Sequence, residues 1–261
     1  MYDPVYQIFF AAYKLYYWCL GFFYSRRITA NVGGKEITLS QIHCNYYGHD
    51  VNIAGLRFRE TFLPVKEIFF QKEYDYLNVK GRQVVDIGGF NGDSAISFAI
   101  RGARKVYVYE ANPVLIPLIK YNLKENGVSQ KVEVFKNLVS RNAGKSSNVY
   151  TDDQNMVSLS KQHIVGKLKE SIPKVTLNKI VANNRIKNGA LKMDVEGAEY
   201  EIIESTSIPA LQRFRQIQVD FHKNGSETLV KKLSKAGFRC NVTMTIDAGK
   251  VKSGYISAER G

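Results

Sequence analysis

QVVDIGGFNGDSAISFAIRGA, residues 83–103, is the stretch that decides the fold. Val84, Val85, Asp86 and Ile87 read as a short apolar strand that runs directly into Gly88, Gly89, Phe90, Asn91 and Gly92, and then into a helical segment. In a strand, glycine turn and helix of this kind, the missing Cβ atoms let the backbone pass close to a ligand. The turn also aims the amides of a helix N-terminus at that ligand. The fixed positions spell DxGxxxG, with Asp86, Gly88 and Gly92 in place, and Gly89 completes the loop. A dinucleotide site would require GxGxxG, so this spacing excludes a nicotinamide oxidoreductase.

Reading outward, the next strand, Val106 to Tyr109, ends in Glu110, 24 residues after Asp86. An acid there can accept both hydroxyls of a ribose. A helix from Val114 to Asn126 stops at Gly127, and a third strand runs from Val132 to Phe135. The pattern β-α-β-α-β predicts an α/β, Rossmann-like fold with a mostly parallel sheet and helices on both faces. Ligands in such sheets bind outside the carboxyl ends of the strands. Asp86, Gly88, Glu110 and Asn137 should therefore gather on one edge, with Asn137 either reading an adenine amino group or capping the turn. A fourth strand, Gly189 to Met193, ends at Asp194, with Glu196 two residues on, before an amphipathic helix AEYEIIES. A fifth, Gln216 to Phe221, carries Asp220 and His222 to the same edge. Beyond a helix stop at Gly237, two strands around DAGK suit an antiparallel edge pair.

The DxGxxxG spacing resembles motif I of class I methyltransferases. Two further stretches resemble the FkbM-type family. Residues 106–127, VYVYEANPVLIPLIKYNLKENG, are similar to its acid-x-x-Pro followed by a helix ending Asn-x-x-x-Asn-Gly. Residues 175–199, VTLNKIVANNRIKNGALKMDVEGAE, resemble its Thr-Leu-Asp helix start and its strand ending Lys-Ile-Asp-Val-Glu-Gly-Ala-Glu. The resemblance covers roughly residues 80–225. It departs at Asn178, which stands where the pattern has Asp and removes a carboxylate while leaving capping possible. It implies a class I methyltransferase whose cofactor is S-adenosylmethionine, in a family with members that O-methylate sugars and hydroxyl-bearing metabolites. Asp86, Gly88, Gly89, Gly92, Glu110 and Asn137 are the cofactor-binding candidates.

Methyl transfer is an in-line displacement at a sulfonium carbon, so the protein aligns acceptor and donor and removes the acceptor proton. His222, Asp194 and Glu196 are the catalytic candidates, and His222 has the most suitable unperturbed pKa for a base. The bland alternatives are that Asp194 orients the cofactor, Glu196 serves the first helical turn, and His222 satisfies backbone groups at a strand end. The two carboxylates with His222 could also hold a divalent cation. No metal is assigned otherwise: Cys19, Cys44 and Cys240 are scattered, and no Cys/His cluster has zinc-ligand spacing.

The net charge of +13 is unevenly spread. Residues 141–190 hold nine Lys/Arg against three acids, and residues 1–80 nine against seven. The basic stretch is either a solvated surface or a face for an anionic or lipid-linked substrate. A nucleic-acid partner is not expected. The fourth strand is followed by Asp-Val-Glu-Gly, with no Asn/Asp-Pro-Pro-aromatic segment, and its acids would repel phosphate. An RNA 2'-O-methyltransferase and a non-catalytic membrane-peripheral protein with the same fold are the rival readings.

Residues 5–24, VYQIFFAAYKLYYWCLGFFY, carry one charge, Lys14, and precede Arg26 and Arg27. The length suits a membrane span, and the tyrosines suit an interfacial helix or a helix packed on protein. The expected organisation is an aromatic helix and possible membrane-associated segment over 1–30, an extension of short strands and a helix over 31–79, and the cofactor-binding domain over 80–261. The expected compartment is the cytoplasm, with possible association at the inner face of the membrane.

Overall fold

A computed structural model describes residues 29–32, 35–38, 43–44, 51–53, 55–59, 68–69, 72–144, 146–151, 157–158, 168–222, 224–248 and 251–261. The aromatic segment 5–24 lies outside them. Among the described residues no helix is long and apolar enough to cross a membrane. The chain divides into two compact units, residues 1–72 and 73–261.

In the smaller unit, Thr29–Val32 pairs antiparallel with Lys35–Thr38. His43–Cys44, Val51–Ile53 and Leu56–Phe58 form a second antiparallel sheet. Short strands were expected in the extension over 31–79.

The larger unit is built on seven strands: β1 (Gln83–Ile87), β2 (Lys105–Glu110), β3 (Val132–Lys136), β4 (Gly189–Met193), β5 (Phe214–Phe221), β6 (Arg239–Ala248) and β7 (Val251–Glu259). Their order across the sheet is β6-β7-β5-β4-β1-β2-β3. Five strands from β3 to β5 run parallel, while β7 pairs antiparallel with both β5 and β6. The helices are α1 (Asp93–Ile100), α2 (Leu115–Glu125), α3 (Leu177–Asn183), α4 (Glu199–Ser205), α5 (Ile208–Leu211) and α6 (Glu227–Lys235). The expected Rossmann-like α/β fold is what the chain adopts.

The local reasons are plain. β1 and β4 are buried along their whole length, so each reads as an almost continuous apolar run, as central parallel strands do. Their two charged residues, Asp86 and Lys192, stand side by side in the register. In α2, Pro117 falls within the first turn, where its missing N–H costs nothing, and Asn112 Oδ1 accepts from the Val114 amide at 3.0 Å just ahead of it. Thr176 caps α3 by accepting from the Lys179 amide at 3.2 Å. Asn178 binds across to the next connection: its Oδ1 accepts from Ser207 N and Oγ, at 3.0 and 2.9 Å.

One core face packs Leu177, Ile180, Ile202, Ile203, Leu229 and Leu233 from the helices onto Leu191, Met193, Ile217 and Val219 of the sheet. The helix expected within the extension 31–79 does not run through residues 73–76. Residues 73–76 form a turn, and the Arg101 guanidinium takes the carbonyls of Tyr74, Asp75 and Leu77.

The register aligns the carboxyl ends of the central strands. Ile87 lies opposite both Tyr109 of β2 and Met193 of β4, and Met193 lies opposite Val219 of β5. The chain order reverses between β1 and its neighbours β2 and β4, which is the crevice where open α/β sheets bind ligands.

Candidate active site

The glycine loop leaves β1 at Gly88, whose φ of 84° only glycine adopts without strain. A Cβ there would lie 1.8 Å from the carbonyl oxygen of Asp194, and one at Gly89 would lie 2.2 Å from Val108 Cγ1. The sequence suggested that these glycines admit a ligand. In the structure their closest demands come from protein: the β1 loop is pressed against the end of β4 on one side and against β2 on the other. Gly92, at φ 86°, is the residue from which α1 starts, and its carbonyl accepts from Ile96.

Asp86 is fully buried below this loop. Its Oδ2 accepts from Ser94 Oγ at 2.6 Å, and its Oδ1 lies 3.2 Å from Lys192 Nζ. Lys192 also donates to the Gly88 carbonyl and sits 5.5 Å from the centroid of the Tyr74 ring. Burial works against the Lys192 ammonium, but the carboxylates of Asp86, Asp194 and Asp220 outweigh it and hold it protonated. Asp93, first residue of α1, is pushed up to about 7 by burial, and its Oδ2 has no hydrogen-bond partner among the described residues.

Glu110 ends β2 only 8% exposed. Its Oε2 accepts from the Phe90 amide at 3.0 Å and its Oε1 from the Asn112 amide at 2.7 Å. Burial raises its carboxyl above the ordinary value, and those amides pull the other way. A carboxylate has about four lone-pair sites, so two further donors can be accepted. That fits the two hydroxyls of a ribose. Asn137 lies next in line, with its amide donating to the Glu110 carbonyl and its side-chain Nδ2 to Pro173 O at 3.2 Å. Its side-chain nitrogen is thus engaged in holding the turn, while its oxygen is left over.

Across the crevice, Asp194 follows β4, and Glu196 stands at φ 55°, in the left-handed region, 76% exposed. β5 delivers His222 between them. Its Nε2 is 4.0 Å from Asp194 Oδ1 and 3.7 Å from Glu196 Oε2, while its Nδ1 is 2.6 Å from Oε1 of Glu199, the fully buried first residue of α4. The Glu199 hydrogen bond outweighs burial and holds the imidazole above its ordinary pKa. Asp220, two residues before His222, is pushed up to about 9, first by burial and then by Asp194 and Glu73.

All the residues singled out from sequence therefore lie around one crevice in two groups: Asp86, the glycine loop, Glu110 and Asn137 on one side, and Asp194, Glu196 and His222 on the other. The Gly88–Asp194 contact joins the groups. Sequence reasoning missed Lys192 and Glu199. For Lys192 there was a signal, a lone charge inside the apolar strand GALKM. Glu199 sat within the quoted motif without a role, because its partner His222 comes 23 residues later.

A model of the methyltransferase FkbM domain family matches residues 86–240. A curated relative, ribosomal protein L11 methyltransferase of Carboxydothermus hydrogenoformans, is 35% identical over 57 residues, 22% of this chain and 19% of that protein. The match thus spans about a fifth of that relative's length. Among solved structures, precorrin-6y C5,15-methyltransferase from Geobacter metallireducens GS-15 is similar at 14% identity and a TM-score of 0.41, covering 71% of this chain and 85% of that one. An rRNA methylase from Streptococcus thermophilus is similar at 10% identity and a TM-score of 0.47, covering 72% and 94%. The strand order, with its antiparallel seventh strand, is that of class I methyltransferases.

Proposed function

The chain belongs to the FkbM methyltransferase family, with S-adenosylmethionine as its cofactor, and from that premise we propose that it methylates a hydroxyl oxygen of a sugar, glycan or related metabolite. The observation that carries this reading is the convergence of Asp194, Glu196 and His222 at the ends of β4 and β5, beside the glycine loop. A hydroxyl is a weak nucleophile that must lose its proton as the new bond forms, and a cluster of basic side chains meets that need.

When bound, the cofactor supplies a methyl group on a positively charged sulfur, which leaves with the electron pair of the broken C–S bond. The chain's own groups do the rest. Glu110 accepts from the ribose hydroxyls, and the loop of Gly88, Gly89 and Gly92 shapes the floor. Lys192 holds that loop by its carbonyl and Asp86 by its carboxylate. Asp194, Glu196 and His222 receive the acceptor hydroxyl and take up its proton. The two acids at this end, Asp194 and Glu196, disfavour a polyanionic backbone as acceptor. The basic stretch 141–190 instead suits a single phosphate or lipid-linked carrier on the sugar.

Purified protein incubated with S-adenosylmethionine and a panel of hydroxylated sugars and sugar phosphates should give O-methyl products by mass spectrometry and NMR. A panel turned over only at nitrogen or carbon would overturn the reading. Glu110→Ala should abolish calorimetrically measured binding of S-adenosylhomocysteine. His222→Ala should retain that binding and lower kcat by about 10²-fold or more.

A further inference from the structure

One ligand atom from each of Asp194, Glu196 and His222 lies within 4.8 Å of the other two, and the contacts of His222 Nε2 with Asp194 Oδ1 and Glu196 Oε2, at 4.0 and 3.7 Å, are too long to be hydrogen bonds. They frame a gap. A divalent cation about 2.1 Å from each ligand sets neighbouring ligands roughly 3.0 Å apart and opposed ones roughly 4.2 Å apart, so the cluster closes on one with side-chain movements under about 1 Å. The ring is already turned for it. Buried Glu199 engages Nδ1 at 2.6 Å, which fixes the ring with Nε2 turned toward the two carboxylates. Nearby, Oε2 of Glu199 and Oδ1 of Asp220, in residues 0% and 7% exposed, are buried without hydrogen-bond partners among the described residues.

We infer that Asp194, Glu196 and His222 form a binding site for one divalent cation of the magnesium and manganese class, with Glu199 as the positioning residue for the imidazole. Two carboxylates and one imidazole favour such ions over the thiolate-loving ones. Three protein ligands leave about three of six positions open, enough for two adjacent hydroxyls of a sugar. With the ion bound, the three side chains serve as its ligands in place of the proton uptake described above: a hydroxyl held there becomes more acidic, and its proton passes to water at the rim of the cluster, where Glu196 is 76% exposed. The catalytic use of the ion rests on the hydroxyl-acceptor reading above; its binding does not.

The test is titration of the full chain with Mn2+ and no acceptor, followed by the electron paramagnetic resonance signal of free Mn2+ and by calorimetry. One saturable site per chain is expected, weakened about 10- to 100-fold by Glu196→Gln, an exposed change that leaves the fold intact, and likewise by Glu199→Gln. S-adenosylhomocysteine binding confirms that each variant is folded. Absence of a saturable site in folded wild-type protein overturns the cation site, as does binding that Glu196→Gln leaves unchanged. O-methylation that survives thorough chelation overturns its catalytic use and leaves the hydroxyl reading standing. A Mn2+ site in a protein that methylates only nitrogen sinks the hydroxyl reading and keeps the site.

Discussion

Gly88 shows how one residue ties cofactor loop to acceptor cluster. The added methyl of Gly88→Ala would sit 1.8 Å from a backbone carbonyl, which cannot rotate aside as a flexible side chain can, at a φ of 84° that alanine resists. Overpacking and the left-handed backbone together should cost about 2–4 kcal/mol. Urea unfolding should show that loss together with weakened S-adenosylhomocysteine binding. Gly197→Ala, at φ 115° with nothing within 4 Å of the new methyl, should cost less and spare cofactor binding. Asp93 offers a second test. Burial pushes its carboxyl up from 3.8 to about 7, against a lowering pull from the Ser94 amide and Lys192 and a raising push from Asp86 and Glu73. Between those values the folded chain keeps a proton that the unfolded chain has released, so this group's contribution to stability declines as pH rises from about 4 to about 7, and levels off beyond. Asp93→Asn stays uncharged throughout. Its Tm relative to wild type should therefore climb across that window and plateau above it; a difference that is flat with pH would mean that Asp93 is not held protonated.

Among the elements, the pair β1 and β4 carries the most consequence, because each is fully buried and contributes one charge to the other. Lys192→Met leaves Asp86 buried without its cation, a change that should cost about 3–5 kcal/mol. The double variant Asp86→Asn/Lys192→Met removes both charges and should recover much of that loss in denaturant unfolding. The individual strands were legible in sequence, since QVVDI and GALKM are short apolar runs bounded by turn signals, and Gly127 and Gly237 stop their helices within the local chain. What sets Lys192 beside Asp86 is the register between strands 106 residues apart in sequence, which no local pattern encodes. The same holds for Glu199 and His222, where the motif gave the acid and the strand gave the base, but only the packing of α4 against β5 joins them. The turn at residues 73–76 likewise depends on a distant group, the Arg101 guanidinium, which takes the carbonyls of Tyr74 and Asp75 and that of Leu77 just beyond it.

At the scale of the whole chain, every candidate site residue belongs to the unit 73–261, and the sheet alone brings them to one edge. The sequence suggested that this domain begins at residue 80. The structure gives the seven residues before it a role in the sheet. Glu73 O accepts from Gln218 Nε2 at 2.8 Å, Glu73 Oε1 from Tyr255 OH at 3.1 Å, and Asn78 N donates to Gln216 Oε1 at 2.8 Å. Tyr74, Leu77 and Val79 are buried with them, at 4%, 0% and 2% exposure. Removing three such side chains exposes the core beneath them and should cost about 5 kcal/mol or more, a large part of the stability of a domain this size. Two fragments separate the alternatives. Residues 73–261 expressed alone should unfold cooperatively and bind S-adenosylhomocysteine as the full chain does, while residues 80–261 should unfold at markedly lower temperature or fail to fold. Equal stability of the two would show that the segment merely lies against the sheet. Loss of cofactor binding in a well-folded 73–261 fragment would place part of the cofactor site in residues 1–72.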